Sequence, residues 1–187
     1  MLASVVLAAL IGIPLAIAVA SRAVWRAWVL GATGLLQTVP SLALLAVLIS
    51  WLGAIGTLPA LIALTLYALL PIVRNTCTGL AEVPGGLKLA AMALGLSRRD
   101  QLLRIELPLA LPTIIAGVRI AAVISVGTAT IAAFIGAGGF GERIVTGLAL
   151  NDNPLMLAGA LPSAVLALLI EGSFELVEWR LHKRKPA

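Results

Sequence analysis

Apolar positions in this chain come in long uninterrupted blocks, not in the alternation of a half-buried strand or the three-and-four spacing of a surface helix. No charged residue occurs at positions 1–21 or 27–73, and Arg119 is the only charge between Leu107 and Gly141. A helix rises about 1.5 Å per residue, so the uncharged run 27–73 would reach about 70 Å, more than twice a hydrocarbon core of about 30 Å. That run must turn back once. The turn is placed between Trp51 and Pro59, where Gly53, Gly56 and Pro59 interrupt the apolar sequence. Five spans follow, at about 1–20, 29–50, 58–73, 112–135 and 155–177. Helices are expected because the runs are continuously apolar, whereas barrel strands alternate over about ten residues. Ala18-Val19-Ala20 resembles a cleavage site, but no Lys or Arg precedes the block, so it is read as a span. Met1 opens directly inside that block, which leaves room for a leading segment.

Composition adds an exclusion. With 61% apolar and 11% charged residues, against roughly half and about a quarter in soluble domains, the chain is not an ordinary soluble globule. It is expected to be an all-α polytopic membrane protein of one domain, 1–187. A net charge of +5 would suggest nucleic acid in a soluble protein. Here the cations sit between apolar runs, where membrane orientation explains them. With the amino terminus outside, eleven Lys and Arg fall on the inner side and Arg143 alone in the outer loops. The carboxy terminus is then cytoplasmic, with Trp25, Trp28 and Trp179 near the inner interface and Trp51 near the outer one. One Cys77 and one His182 exclude a disulfide framework and the usual three- or four-ligand zinc site.

The inner loop, about 76–107, is the least membrane-like segment. Its Ala-rich stretch runs to Gly95, a residue suited to the left-handed position that closes a helix. Ser97 with Asp100 three residues on is an acidic variant of the capping box and predicts a second short helix at an angle to the first. Asn75 and Thr76 are expected to close the third span.

The loop's spacing, Ala90-Ala91, three residues, Gly95, nine residues, then Ile105-Glu106-Leu107-Pro108, resembles the EAA loop of ABC importer permeases. Leu89 stands where that family usually has Glu. The stretches Gln37-Thr38-Val39-Pro40-Ser41, Leu70-Pro71-Ile72-Val73-Arg74-Asn75 and Gly136-Ala137-Gly138-Gly139-Phe140-Gly141 are similar to the osmoprotectant branch, the permeases for glycine betaine, carnitine and choline. The resemblance implies that Lys88, Leu89, Ala90, Ala91, Gly95, Leu96, Arg98, Arg99, Ile105, Leu107 and Pro108 form a loop that couples to cytoplasmic ATPase subunits. Lys88, Arg98, Arg99 and Arg104 would pair with acids on that partner. ATP and Mg would be bound there, with no cofactor on this chain. It further implies an extracytoplasmic substrate-binding protein, a second permease chain, and a place in the inner membrane of the cell.

Gly136-Ala137-Gly138-Gly139-Phe140-Gly141 also fits G-x-G-x-x-G, but no strand precedes it and it lies outside the cytoplasm in this orientation, so it reads as a membrane-exit turn. Polar residues inside spans are costly in lipid and tend to face a partner or a water path. Gln37, Thr38 and Ser41 surround Pro40, which breaks the second span, and with Arg119 they form the candidate translocation path. Arg119 is expected to pair with Glu171 or Glu175 or to snorkel inward, and Glu171, Glu175 and Glu178 share one face of the last span. Two other readings are a stand-alone secondary transporter or channel, and a permease for another small solute such as an amino acid. A membrane-embedded enzyme would need a convergent cluster of acid, His or Ser with a base, and none is visible.

Overall fold

The computed structural model describes the backbone of residues 1–183 and the side-chain surroundings of residues 1–180. The expected cations Lys183, Arg184 and Lys185, and His182, therefore have side chains outside the described residues. Among the described residues all regular structure is helical: α1 Leu2–Ala20, α2 Ala23–Thr38, α3 Ser41–Leu52, α4 Thr57–Glu82, α5 Gly85–Ala93, α6 Arg98–Gln101, a π-turn Leu102–Glu106, α7 Leu107–Ala132, a 3-10 turn Ala133–Ile135, α8 Phe140–Leu150 and α9 Asn153–Lys183. Four helical stretches are long and apolar enough to cross a membrane, and five if the bent pair α2–α3 counts as one span.

α4 is the centre of the bundle. Of its most apolar stretch 56% is buried within the chain, against 11% for α9. α4 packs most extensively on α7 and α1. Lipid tails are as apolar as leucine, so helix association here rests on close van der Waals approach, which small residues permit. Gly117 of α7 lies against Asn75 and the carbonyl of Pro71, and Gly79 of α4 against Ala110 and Thr113 of α7; a Cβ on Gly117 would come within 2.9 Å of the Pro71 oxygen. Gly12 on α1 admits Ile72 and Val73 in the same way. Buried Ala8, Ala68, Ile72 and Ala121 join the three helices at one level, and Leu80, Ala110 and Ile114 join α4 to α7 at the next.

Three expected boundaries move. α4 does not end at residue 73 but continues to Glu82. Asn75 and Thr76 do not close it: their side chains bond back to the carbonyls of Pro71 and Ile72 at 2.8 and 2.7 Å, inside a continuing helix. The fourth span starts earlier than residue 112, because α6, the π-turn and α7 run on as one helix. Arg74, Arg98 and Arg99 mark where the chain leaves the apolar layer, and a helix need not stop there. The second span, expected to be broken at Pro40, is two helices meeting at 98°. A short helix, α8, occupies the segment after the glycine-rich turn, and it packs on α9 through Gly147 and Gly159.

Candidate functional site

α5 and α6 form the expected helix-Gly-helix. α5 closes on Gly95 at φ +73, with Leu96 N–H donating to the Ala91 carbonyl at 3.1 Å, the six-to-one bond of a Schellman end. Ser97 accepts from the Asp100 N–H at 3.2 Å and caps α6. The second helix differs from the expected short, separate one. Pro108 has no N–H to give the Arg104 carbonyl, and its ring crowds that carbonyl. The turn before it widens, so that Leu107 N–H reaches back to Leu102 in a five-residue bond. α6 is thereby the head of the α7 span.

The exposed tip of the loop is apolar. Leu89 and Leu94 are 65% and 79% exposed, with Leu87, Met92, Ala90 and Gly95 beside them. Ala91 turns inward and is buried, Leu96, Ile105 and Leu107 are half-buried, and Pro108 is exposed. The cations do not all point away from the chain. Lys88 and Arg98 converge on Glu106 at 4.0 and 3.5 Å, and Arg104 pairs with Asp100 at 3.3 Å. Arg99 is exposed and has no ion pair among the described residues. Glu106, whose side chain is only 8% exposed, was not singled out by sequence reasoning. Its signal was available: it is the lone acid between Asp100 and the apolar run of α7.

The break in the second span is fastened to α4. Val39 is extended, as a residue before proline is driven to be, and α3 starts on Pro40. Pro71 in α4 leaves the Tyr67 carbonyl without its helical donor, and Gln37 Nε2 fills that place at 3.1 Å. The Tyr67 hydroxyl in turn donates to the Val39 carbonyl at 2.6 Å. The carbonyl that Pro71 leaves without a donor and the carbonyl of Val39 at the break are therefore each satisfied from the other segment. Thr38 is exposed and bonds back to Leu35, and Ser41 is half-buried. Arg119 does not join these residues. It faces α9, where Glu178 lies at 3.2 Å and Glu171 at 3.7 Å; of the three glutamates expected on that face as partners for an arginine, these two meet Arg119, while Glu175 is exposed.

Cavities open at both ends of the described bundle. A mainly apolar one of about 470 Å³ lies at the end of the glycine-rich turn, between Thr57, Leu61, Val126, Gly138 and Ser163. A polar one of about 360 Å³ lies at the loop end, where Arg26, Lys88, Arg98 and Glu106 meet.

Residues 9–183 match the family described as binding-protein-dependent transport system inner membrane component. The chain is 44% identical over 97% of its length, and 83% of the relative's, to the carnitine transport permease protein OpuCD of Listeria monocytogenes. It is 42% identical to the choline transport system permease protein OpuBD of Bacillus subtilis, over 94% of this chain and 76% of that one. With the osmoprotectant import permease protein OsmW of Salmonella typhimurium it shares 43% identity over 95% and 81%. Its fold is that of a chain in the inward-facing MetNI methionine ABC transporter, with a TM-score of 0.86, 23% identity, and 95% and 89% of the two chains covered. The chain is thus a multi-pass permease of the binding-protein-dependent transport system inner membrane component family.

Proposed function

We propose that this chain is the transmembrane subunit of an ATP-driven importer that passes a small quaternary ammonium osmoprotectant, of the carnitine, choline and glycine betaine class, into the cytoplasm. The observation that carries the reading is the apolar tip of α5 on a braced mount. Leu87, Leu89, Met92 and Leu94 are exposed where the chain leaves the lipid, and an apolar knob in that position calls for a protein partner. The partner is a cytoplasmic ATPase subunit, which binds ATP and Mg, while this chain binds no cofactor. A receptor outside the membrane delivers the solute, and a second permease chain, identical or similar, completes the path.

The orientation puts the amino terminus outside and the carboxy terminus inside. The Lys and Arg distribution along the chain supports it, and Arg26, Lys88 and Arg98 line one cavity at the loop end. The relatives' names support the solute class. Few aromatics are available for a cation cage, four Trp, three Phe and one Tyr in the chain, so discrimination between solutes falls to the receptor.

The test is reconstitution in proteoliposomes with the ATPase subunit and receptor, offering radiolabelled carnitine, choline, glycine betaine and, as the competing class, methionine. ATP-driven uptake of a quaternary ammonium solute and not of methionine is expected, and the reverse overturns the solute class. Gly95→Asp adds a charge to the apolar tip and a side chain at φ +73, where a Cβ meets no neighbour within 4 Å. It is expected to abolish ATPase association and leave membrane insertion intact. Normal association in that variant counts against the docking role of the tip.

A further inference from the structure

Glu106 is a carboxylate in a costly place. It sits on the π-turn at the head of a membrane span with its side chain 8% exposed, and a buried charge is tolerated only where opposite charge offsets its lost hydration. The offset comes from two separate pieces of the loop, Lys88 on α5 at 4.0 Å and Arg98 on α6 at 3.5 Å. Lys88 Nζ also donates to the Leu80 carbonyl at 3.1 Å, one of the last four carbonyls of α4, which have no partner within their own helix. One ammonium therefore joins α5 both to the foot of α4 and to the head of α7.

Without these contacts α5 would hang from soft links. On one side are Val83 and Pro84 followed by Gly85 and Gly86, and on the other Leu94 and the left-handed Gly95. Among the described residues, the Lys88–Glu106 ion pair is the only one that joins α5 to the π-turn, while α6 is held to it by Arg98–Glu106, by Asp100–Arg104 and by the continuous helical backbone.

We propose that Glu106 is a positioning residue for energy coupling: by holding Lys88, with Arg98 completing its charge balance, it ties α5 to the one helix that runs from α6 into α7, so that a push on the tip of α5 turns the α7 span. The inference rests on the permease reading above. A push on an untethered α5 would be absorbed in its two flexible links. With the tether in place it reaches α7 directly, and through the packing of Gly79 and Gly117 it reaches α4. Elements that act in this way have to be rigid between their ends, and a charged, buried joint supplies that rigidity in a region with little apolar core.

The complete transporter in proteoliposomes tests this, with radiolabelled carnitine, choline and glycine betaine offered in turn. The quantities read are solute imported per ATP hydrolysed and the yield of assembled complex. Glu106→Gln keeps the shape and removes the charge, and about a fivefold fall in solute per ATP is expected in a complex that still assembles. Arg98→Gln, at an exposed side chain, is expected to lower the same ratio by less, and the double variant to be no worse than Glu106→Gln alone. An assembled Glu106→Gln complex with the unaltered ratio overturns the inference, as does an additive loss in the double variant. Should Glu106→Gln fail to insert, Lys88→Gln decides, since Lys88 is the α5 end of the tether: an unaltered ratio there overturns the tether, and a lowered one supports it. Absence of ATP-driven uptake by the unaltered chain would overturn the permease reading itself, which keeps the two failures distinct.

Discussion

Of the prolines that meet apolar helices in this chain, Pro40 and Pro108 are answered in opposite ways. At Pro40, α2 and α3 part at 98°, while at Pro108 the chain continues from α6 through the π-turn into α7 as one helix. Both prolines lack an N–H and both crowd the carbonyl four residues back. The difference lies in what surrounds them. Beside Pro40, α4 offers a tyrosine hydroxyl to the Val39 carbonyl and takes a donor from Gln37, so the helix can open without leaving those polar groups bare in lipid. Pro108 has no such neighbour among the described residues, and the helix instead takes up one extra residue, its Leu107 N–H bonding to Leu102. A proline sets a demand on the backbone, and tertiary partners decide whether the answer is a bend or a slip of register.

Removing the partners at the bend is expected to have the largest effect. The double variant Gln37→Leu/Tyr67→Phe leaves the Val39 and Tyr67 carbonyls without donors. Hydrogen bonds between helices in membranes contribute about 0.6 kcal/mol on average and about 1.7 at most, so the pair is expected to cost on the order of 1 to 3 kcal/mol. The thermal midpoint of the purified protein in lipid nanodiscs should fall, and amide exchange should speed up around Val39 and Ser41. Tyr67→Phe alone is expected to show about half of that loss, since each bond stands on its own donor. A double variant as stable as the unaltered chain would mean that packing of Leu44, Leu45 and Leu48 against Ala63 and Tyr67 holds the bend unaided.

The contrast also explains what was legible beforehand. Span positions followed from charge-free blocks, and the α5 end and α6 cap followed from Gly95 and from Ser97 with Asp100, because those signals are local. Helix ends did not follow, since hydropathy records contact with lipid and not backbone pairing. α4 outruns its apolar block to Glu82 because Asn75 and Thr76 bond to their own helix. α8 was missed because it is too short to span and carries Glu142 and Arg143 in an otherwise outer loop, although an acid in its first turn and Asn151 at φ 52 after its last are helix-boundary signals. Glu106 and Tyr67 were missed for another reason. Their partners are Lys88 and Arg98 for Glu106, brought close by the fold of the loop, and Gln37 and Val39 for Tyr67, brought close by the packing of α4 on the bend.

A change at the slip is expected to have a smaller effect on stability and a clear effect on geometry. Pro108→Ala restores an N–H toward the Arg104 carbonyl and removes the ring that crowds it. The π-turn should close into ordinary α-helix, and the loss of one residue from the turn rotates α6 by about 100° relative to α7. That rotation carries Arg98 away from Glu106. Spin labels at positions 94 and 111 should report a changed distance, and solute imported per ATP should fall as it does for Glu106→Gln. An unchanged distance would show that the Glu106 ion pairs, and not the proline, hold the wide turn open.

The smallest effect is expected at the start of α6. Helix α3, at the bend, begins on Pro40 with no side-chain cap and depends on α4 for its place. α6 begins on a self-contained cap, in which Ser97 accepts from the Asp100 N–H and bonds its carboxylate. Ser97→Ala removes both contacts. Such caps contribute about 0.5 to 2 kcal/mol, and the low end is expected here because α6 continues into α7 and does not stand alone. Amide exchange should quicken at Asp100 and Gln101 while the thermal midpoint of the protein stays where it is. A lowered midpoint would show that the cap stabilises more than one turn, and that the register of α7 is set from its cytoplasmic tip inward.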